Sequence, residues 1–212
     1  MKEIIFVSGI GTNVGKSYAT GWLANKLNSE KKNAITLKMI QTGNDGYSED
    51  IDIHRKIMGL PLLDEDKDFT TAPIIMTYPA SPHLAAKIDH CTIDLSKIDR
   101  STEKLFEKYD TILMEGAGGL MVPITETYTT IDYIREHNLP LALVTNGQLG
   151  SISHTLLALE AIKTRQIKLK YVVYNPYFDE DKIIAEETQK YLGEFLKKNF
   201  PETEYLIQIK TE

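Results

Sequence analysis

Ile4-Ile5-Phe6-Val7 runs into Gly9-Ile10-Gly11-Thr12-Asn13-Val14-Gly15-Lys16-Ser17, a short apolar strand emptying into a glycine-rich loop that ends Gly-Lys-Ser. The backbone N–H groups of such a loop converge on the phosphates of a nucleotide, the lysine supplies a point charge, and the hydroxyl after it can ligate Mg2+. The frame this needs is strand, loop, helix. The residues that follow supply the helix, with Ala19, Trp22, Leu23 and Leu27 on one face. The usual spacing is Gly, four residues, Gly-Lys. Here Ile10 holds the first position and Gly9 stands one residue further back, so the loop is a variant. The competing reading is an ordinary glycine-rich turn, and the flanking strand and helix outweigh it.

Beyond the loop, apolar runs of strand length alternate with helical patterns. Strands are expected at 4–7, 34–37, 111–114, 141–144, 171–174 and 206–209, and helices at 17–29, 51–58, 96–108, 130–137, 153–164 and 180–199. The strands are continuously apolar, as when helices cover both faces of a parallel sheet. The expected fold is therefore α/β: a doubly wound, mostly parallel sheet with helices on both faces and right-handed crossovers, resembling P-loop NTPases. Residues 1–212 form one expected domain. The stretch 64–94 carries Pro73, Pro79 and Pro82 and reads as loop and short helix over the site, not as a domain boundary.

Composition narrows the function classes. With 212 residues and a net charge of -6, the chain lacks the basic surface that a nucleic-acid partner requires. No run approaches a membrane span, and the stretch 4–7 is too short for a secretory core, so a cytoplasmic protein is expected. Lone Cys91 excludes an internal disulfide and reads as a partly buried small apolar residue. The five histidines show no ligand spacing and receive no metal role; His83, in Ala80-Ser81-Pro82-His83-Leu84, is the one inside the loop expected over the cleft.

In doubly wound sheets ligands bind beyond the carboxyl ends of the strands. After the second strand comes Lys38-Met39-Ile40-Gln41-Thr42-Gly43; Lys38 is either a cleft-facing cation suited to a transferring phosphoryl group or a solvated surface lysine. Ser48-Glu49-Asp50-Ile51-Asp52 opens the next helix, where either Asp50 or Asp52 would serve as cap or dipole partner. Glu115-Gly116-Ala117-Gly118-Gly119 follows the apolar run 111–114. Its acid stands where such ATPases place a Mg2+ ligand or water-positioning carboxylate, and its glycines allow close backbone approach. A second glycine-punctuated turn, Thr145-Asn146-Gly147-Gln148-Leu149-Gly150-Ser151-Ile152-Ser153-His154, precedes another helix, which either serine would cap, and Asn175-Pro176 ends the fifth strand with either an amide suited to reading a base edge or an Asx-Pro turn.

Together these motifs, in this order and spacing, closely resemble dethiobiotin synthetases, from the phosphate loop to Asn175. The resemblance implies ATP-dependent ring closure of 7,8-diaminononanoate with CO2 to dethiobiotin, through a carbamate and a carbamic-phosphoric mixed anhydride, with Mg2+, in a cytoplasmic homodimer. It implies that Gly11, Thr12, Asn13, Val14, Gly15, Lys16, Ser17, Tyr18, Glu115 and Asn175 bind the nucleotide, and that Thr12, Lys16 and Lys38 are catalytic. Ser17, Asp50 and Glu115 are then the metal ligands; Lys38, Thr42, Ser81, Gly116, Ala117, Gly118 and Gly119 face the substrate. Leu149, Gly150 and Ser153 would reach the substrate's carboxylate from the partner subunit.

The chain departs from the family's pattern at Gly11, where many members have Asp, at Ser153, where many have Asn, and at its C-terminus, which lacks the Leu-Gly-x-Ile-Pro segment that frames adenine. The alternative class is a partition or positioning ATPase. Those proteins carry an extra lysine where Gly11 stands, and often end in a basic amphipathic helix, whereas the helix expected at 180–199 is acidic in its first half.

Overall fold

The computed structural model describes residues 2–208. In chain order the elements are β1 (Glu3–Gly9), α1 (Lys16–Ser29), β2 (Ala34–Lys38), β3 (Gln41–Thr42), α2 (Glu49–Met58), α3 (Asp64–Lys67), β4 (Ile75–Met76), α4 (Pro82–Ile88), α5 (Ser96–Leu105), β5 (Thr111–Gly119), α6 (Thr130–Glu136), β6 (Leu141–Asn146), α7 (Ser151–Thr164), β7 (Leu169–Asn175), α8 (Lys182–Asn199) and β8 (Glu204–Ile207). Six strands form one sheet in the order β2-β5-β1-β6-β7-β8, and every pairing in it is parallel.

Each strand feeds two cores because its apolar residues alternate across the sheet. Ile5, Val7, Leu113, Ala142, Val144 and Val173 meet Ala19, Leu23 and Leu27 of α1 on one face. Phe6, Ile112, Met114, Leu141, Leu143 and Val172 meet α5, α6 and α7 through Ile98, Ile131, Ile134, Leu159 and Ile162 on the other. Leu23 and Leu27 are fully buried, each contributing about 1.5–3 kcal/mol of transfer free energy. Trp22, expected on the same face, is only partly buried.

The chain leaves β1 for β2 on one side and, from β5 to β6, crosses to the other. The crevice at this reversal lies at the carboxyl end of β1, where the phosphate loop begins.

Several expectations change. The run 111–114 continues as strand through Gly119, because after a register shift between Val7 and Gly9 the chain still pairs, Gly119 beside Gly9; the Glu115 motif is therefore extended strand. The stretch 64–94 is loop with the short helices α3 and α4, as expected, but it also holds β4, which pairs with β3; both are two-residue strands that the apolar pattern does not announce. Cys91 is exposed, since it follows α4 into a surface turn. Of the strand expected at 206–209, Ile209 lies outside the described residues, and β8 ends at Ile207. Among the described residues no helix is long and apolar enough to cross a membrane.

Candidate active site

Gly15 stands before α1 with φ +86°, and the helix has neither a side-chain cap nor an acid in its first turn. Its first N–H groups and positive end are therefore left for an anion. A side chain at Gly15 would fall 2.0 Å from Asn175 Nδ2, so the position demands glycine twice over. The displaced glycine of the loop has a packing cause as well: a Cβ on Gly9 would come 2.5 Å from Val14 Cγ2.

Sheet register sets the charges. Lys38 at the end of β2 pairs with Glu115 of β5, and Glu115 pairs in turn with Val7 of β1, so both side chains emerge beside the phosphate loop. Lys38 Nζ lies 2.5 Å from Asp50 Oδ2 and 2.8 Å from Glu115 Oε1, and donates to the Gly116 carbonyl at 3.3 Å. Ser17 Oγ lies 2.5 Å from Asp50 Oδ1 and 3.0 Å from Glu115 Oε1. Lys16 Nζ donates to Gly11 O at 3.1 Å, within its own loop.

The choice between two aspartates is made by the cap. Ser48 accepts from Ile51 N at the start of α2, which frees Asp50 to face Ser17 and Lys38, while Asp52 is exposed.

Burial would lower the Lys38 ammonium, but the Glu115 and Asp50 carboxylates reverse this and raise it above the ordinary lysine range. For Lys16 burial prevails and its pKa is lowered. Burial likewise opposes ionisation of Glu115, yet Lys38 and His54 hold its carboxyl far below the usual range.

Ser17 Oγ, Asp50 and Glu115 Oε1 bring three oxygen donors from α1, α2 and β5 together, the donor chemistry Mg2+ takes. Among the described residues no group of three or more His, Cys, Asp or Glu could hold a metal. Two carboxylates and a hydroxyl fit a Mg2+ that draws its other ligands from phosphate oxygens and water.

A cavity of about 1130 Å3 opens over this cluster. Thr12, Asn13, Tyr18, Ala117 and Gly118 line it beside the charged residues; Thr42 and Ser81 form a second wall, and Asn175 closes the far end with Pro176 to Phe178. His83 Nδ1 lies 3.0 Å from Ser81 Oγ. Asn175 is already engaged: its Nδ2 donates to Val14 O at 3.2 Å and its Oδ1 accepts from Tyr177 N at 3.1 Å. One N–H remains for a base edge.

Not every expected residue meets the cavity. Leu149 is 90% exposed and lines a separate hollow of about 340 Å3 with Gly11, Thr12 and Val14. Gly150 and Ser153 are exposed beyond it. Gly116 is packed against the Phe6 ring, 2.8 Å from where a Cβ would stand; it reaches the site only through its carbonyl. Gly119 lies against the backbone of Gly9 and Gly11.

Two residues escaped the sequence reading. Gln208 lines the cavity with Asn175, buried and tied to Tyr174 O by its own N–H at 2.9 Å. The alternation of buried Leu206, exposed Ile207 and buried Gln208 is the strand period that points to it. His54, one helical turn after Asp50, sits behind Glu115, with Nε2 2.7 Å from Oε2.

A family described as an AAA domain matches residues 3–198. Among solved structures the chain resembles chloroplast FtsY from Physcomitrella patens, with a TM-score of 0.57 and 14% identity, covering 100% of this chain but 60% of that one. It also resembles a plasmid partition protein from Borrelia burgdorferi bound to AMPPNP, with a TM-score of 0.57 and 16% identity, covering 100% of this chain and 87% of the other. At such identities these likenesses concern the fold alone. Curated relatives are much nearer. An ATP-dependent dethiobiotin synthetase BioD 2 of Pasteurella multocida is 48% identical over 203 residues, 96% of this chain and 95% of that protein. The BioD 2 of Haemophilus influenzae is 51% identical over 187 residues, 88% of this chain and 98% of that protein. The BioD of Chlorobaculum tepidum is 45% identical over 196 residues, 92% of this chain and 82% of that protein. With identity near one half along almost the whole length of both partners, the chain belongs to the dethiobiotin synthetase family.

Proposed function

We propose that this chain closes the ureido ring of dethiobiotin from 7,8-diaminononanoate, CO2 and ATP, with Mg2+, as a cytoplasmic homodimer. The observation that carries the reading is Lys38, buried between Asp50 and Glu115, at the strand end beside a phosphate loop, in a chain whose near relatives are named dethiobiotin synthetases. The chemistry needs no protein nucleophile. One amine takes up CO2 as a carbamate, a carbamate oxygen attacks the γ-phosphorus and releases ADP, and the second amine attacks the carbamoyl carbon of the mixed anhydride, expelling phosphate and losing its proton.

The protein's task is to position anions and to offset developing charge. Lys16 and the N–H groups of residues 11–18 cradle the phosphates, Lys38 turns from its carboxylates to the carbamate and transferring phosphoryl oxygens, Thr12 joins them in binding carbamate and phosphates, and Thr42 holds the nitrogen end of the diamine. Ser17, Asp50 and Glu115 hold Mg2+, which neutralises phosphate charge when bound. Ala117, Gly118 and Ser81 shape the substrate wall, and a second copy supplies Leu149, Gly150 and Ser153 to the substrate's carboxylate. A partition-type switch would share the fold, but Gly11 occupies the place of the second lysine of that class and Lys38 stands opposite the loop instead.

Phosphate release from purified protein with ATP, Mg2+ and bicarbonate should require the diamine, and mass spectrometry should detect dethiobiotin. Phosphate release that ignores the diamine and responds to DNA or lipid would overturn the reading. Repeating the assay across nucleoside triphosphates measures what Asn175 and Gln208 select.

A further inference from the structure

Glu115 is gripped from two sides. Its Oε1 faces the cavity, 2.8 Å from Lys38 Nζ and 3.0 Å from Ser17 Oγ. Its Oε2 faces away, 2.7 Å from His54 Nε2. A carboxylate only accepts, so the proton of that hydrogen bond resides on Nε2. His54 is fully buried, and Nδ1 has no hydrogen-bond partner among the described residues.

That orphan is informative. A buried ring nitrogen without a partner forfeits its hydration, and leucine or methionine would fill comparable space on α2 without such a cost. Packing alone therefore does not account for a histidine. The contact with Glu115 does, and the helix explains why it can be made: Asp50 and His54 are four residues apart and share a face of α2. One helix thus delivers Asp50 to the cavity side of the charge cluster and a hydrogen-bond donor to its rear.

We propose that His54 is a positioning residue for Glu115: its Nε2–H holds Oε2, locks the carboxylate's orientation, and leaves Oε1 as the oxygen presented to Mg2+ and Lys38. The inference rests on the reading of Glu115 as a metal ligand given above. Donors behind a ligating carboxylate characteristically affect metal affinity by about 10–100-fold.

The test compares wild type with His54→Leu, His54→Gln and Glu115→Gln, titrating Mn2+ by electron paramagnetic resonance in the presence of a non-hydrolysable ATP analogue. His54→Leu should weaken Mn2+ binding about 10–100-fold and raise the KM for Mg2+, leaving the KM for the diamine unchanged. Its metal-free melting temperature should fall, because Glu115 Oε2 loses its donor in the interior, and His54→Gln should restore it. His54→Gln, which keeps a donor at similar reach, should recover binding to within about threefold; His54→Met serves if the leucine variant does not fold. Wild-type Mn2+ affinity in His54→Leu, or equal losses in the glutamine and leucine variants with lowered melting temperatures, overturns the positioning role. Loss of binding in Glu115→Gln alone overturns the role of His54 while sparing the metal reading; undiminished binding in Glu115→Gln overturns both.

Discussion

His54 and Arg55 are neighbours on α2, and they serve buried charge clusters built on opposite principles. Arg55 is closed. Its Nε and Nη2 donate to the two oxygens of Asp66 at 2.8 Å each, and its Nη1 donates to Thr36 Oγ1 at 2.8 Å. Asp66 also accepts from Leu63 N and Thr71 Oγ1, so donors and acceptors are nearly exhausted by protein partners. The cluster reached by His54 is open. One ammonium is shared by two carboxylates, Lys16 rests on a carbonyl of its own loop, and a ring nitrogen has no partner. Both clusters are buried, so burial does not distinguish a structural ion pair from a site; the completeness of hydrogen bonding does.

The contrast breaks first at Arg55. Arg55→Met strands the Asp66 carboxylate in the interior and should cost about 3–5 kcal/mol of stability, read by urea or thermal unfolding, while the folded fraction keeps normal turnover. The double variant Arg55→Met/Asp66→Leu should recover most of that loss, since an apolar pair of similar volume can replace a buried ion pair. A single variant as stable as wild type would show that this pair contributes nothing to the fold.

At the open cluster the signature inverts. Lys38→Ala should lower kcat about 10²–10³-fold, or about 2.7–4 kcal/mol of transition-state stabilisation, with nucleotide affinity nearly intact. Lys16→Ala should lose both. Full turnover by Lys38→Ala would remove the central charge from the mechanism. A smaller effect belongs to the hinge between loop and helix. Gly15→Ala must hold φ +86° and displace Asn175 Nδ2, so it should lose at least about 1–2 kcal/mol, seen as a lower melting temperature and weaker nucleotide binding. If both measurements match wild type, the Asn175 amide does not depend on the glycine beneath it.

The closed and open clusters also differ in how they appear in the sequence. Glu115 and Lys38 stood out because each stands at the end of an apolar run, where strand period fixes how such residues emerge, and Lys16 because it closes the glycine-rich loop that follows one. The main sheet was legible for the same reason. Asp50 against Asp52 was not legible from the residues alone, since both occupy the first turn of α2; the resemblance chose Asp50, and the cap at Ser48 leaves it facing Ser17 and Lys38. His54 carries no local signal at all: its partner is 61 residues away, and only the register of β5 against α2 brings them together. β3 and β4 have two residues each, too few to show a period. Gln208 was hidden by reading an apolar stretch where a strand alternates.

Acid titration separates the buried pair from the surface pairs around it. Hydrogen bonds from Lys104 and Thr70 depress Asp68 to about 2; Asp66 is also lowered, its burial outweighed by Arg55 and Thr71. A carboxyl whose folded pKa lies below its unfolded value of about 3.9 binds fewer protons folded than unfolded. Its stabilisation is therefore present above pH about 4 and lost as pH falls through the folded pKa. Unfolding free energy should decline as pH falls below about 4 through both residues, for Asp68 down to about 2, but with different salt responses. Lys104 and Asp68 are half exposed, so Lys104→Ala should cost no more than about 0.2–1 kcal/mol and nothing measurable in 1 M salt, where screening extends over only about 3 Å. The acid sensitivity contributed by Asp66 should persist in 1 M salt, because its side chain is 3% exposed and its partners are fixed. If salt abolishes the whole acid transition, Arg55 and Asp66 behave as a surface pair, and the distinction between closed and open burial on α2 falls with them.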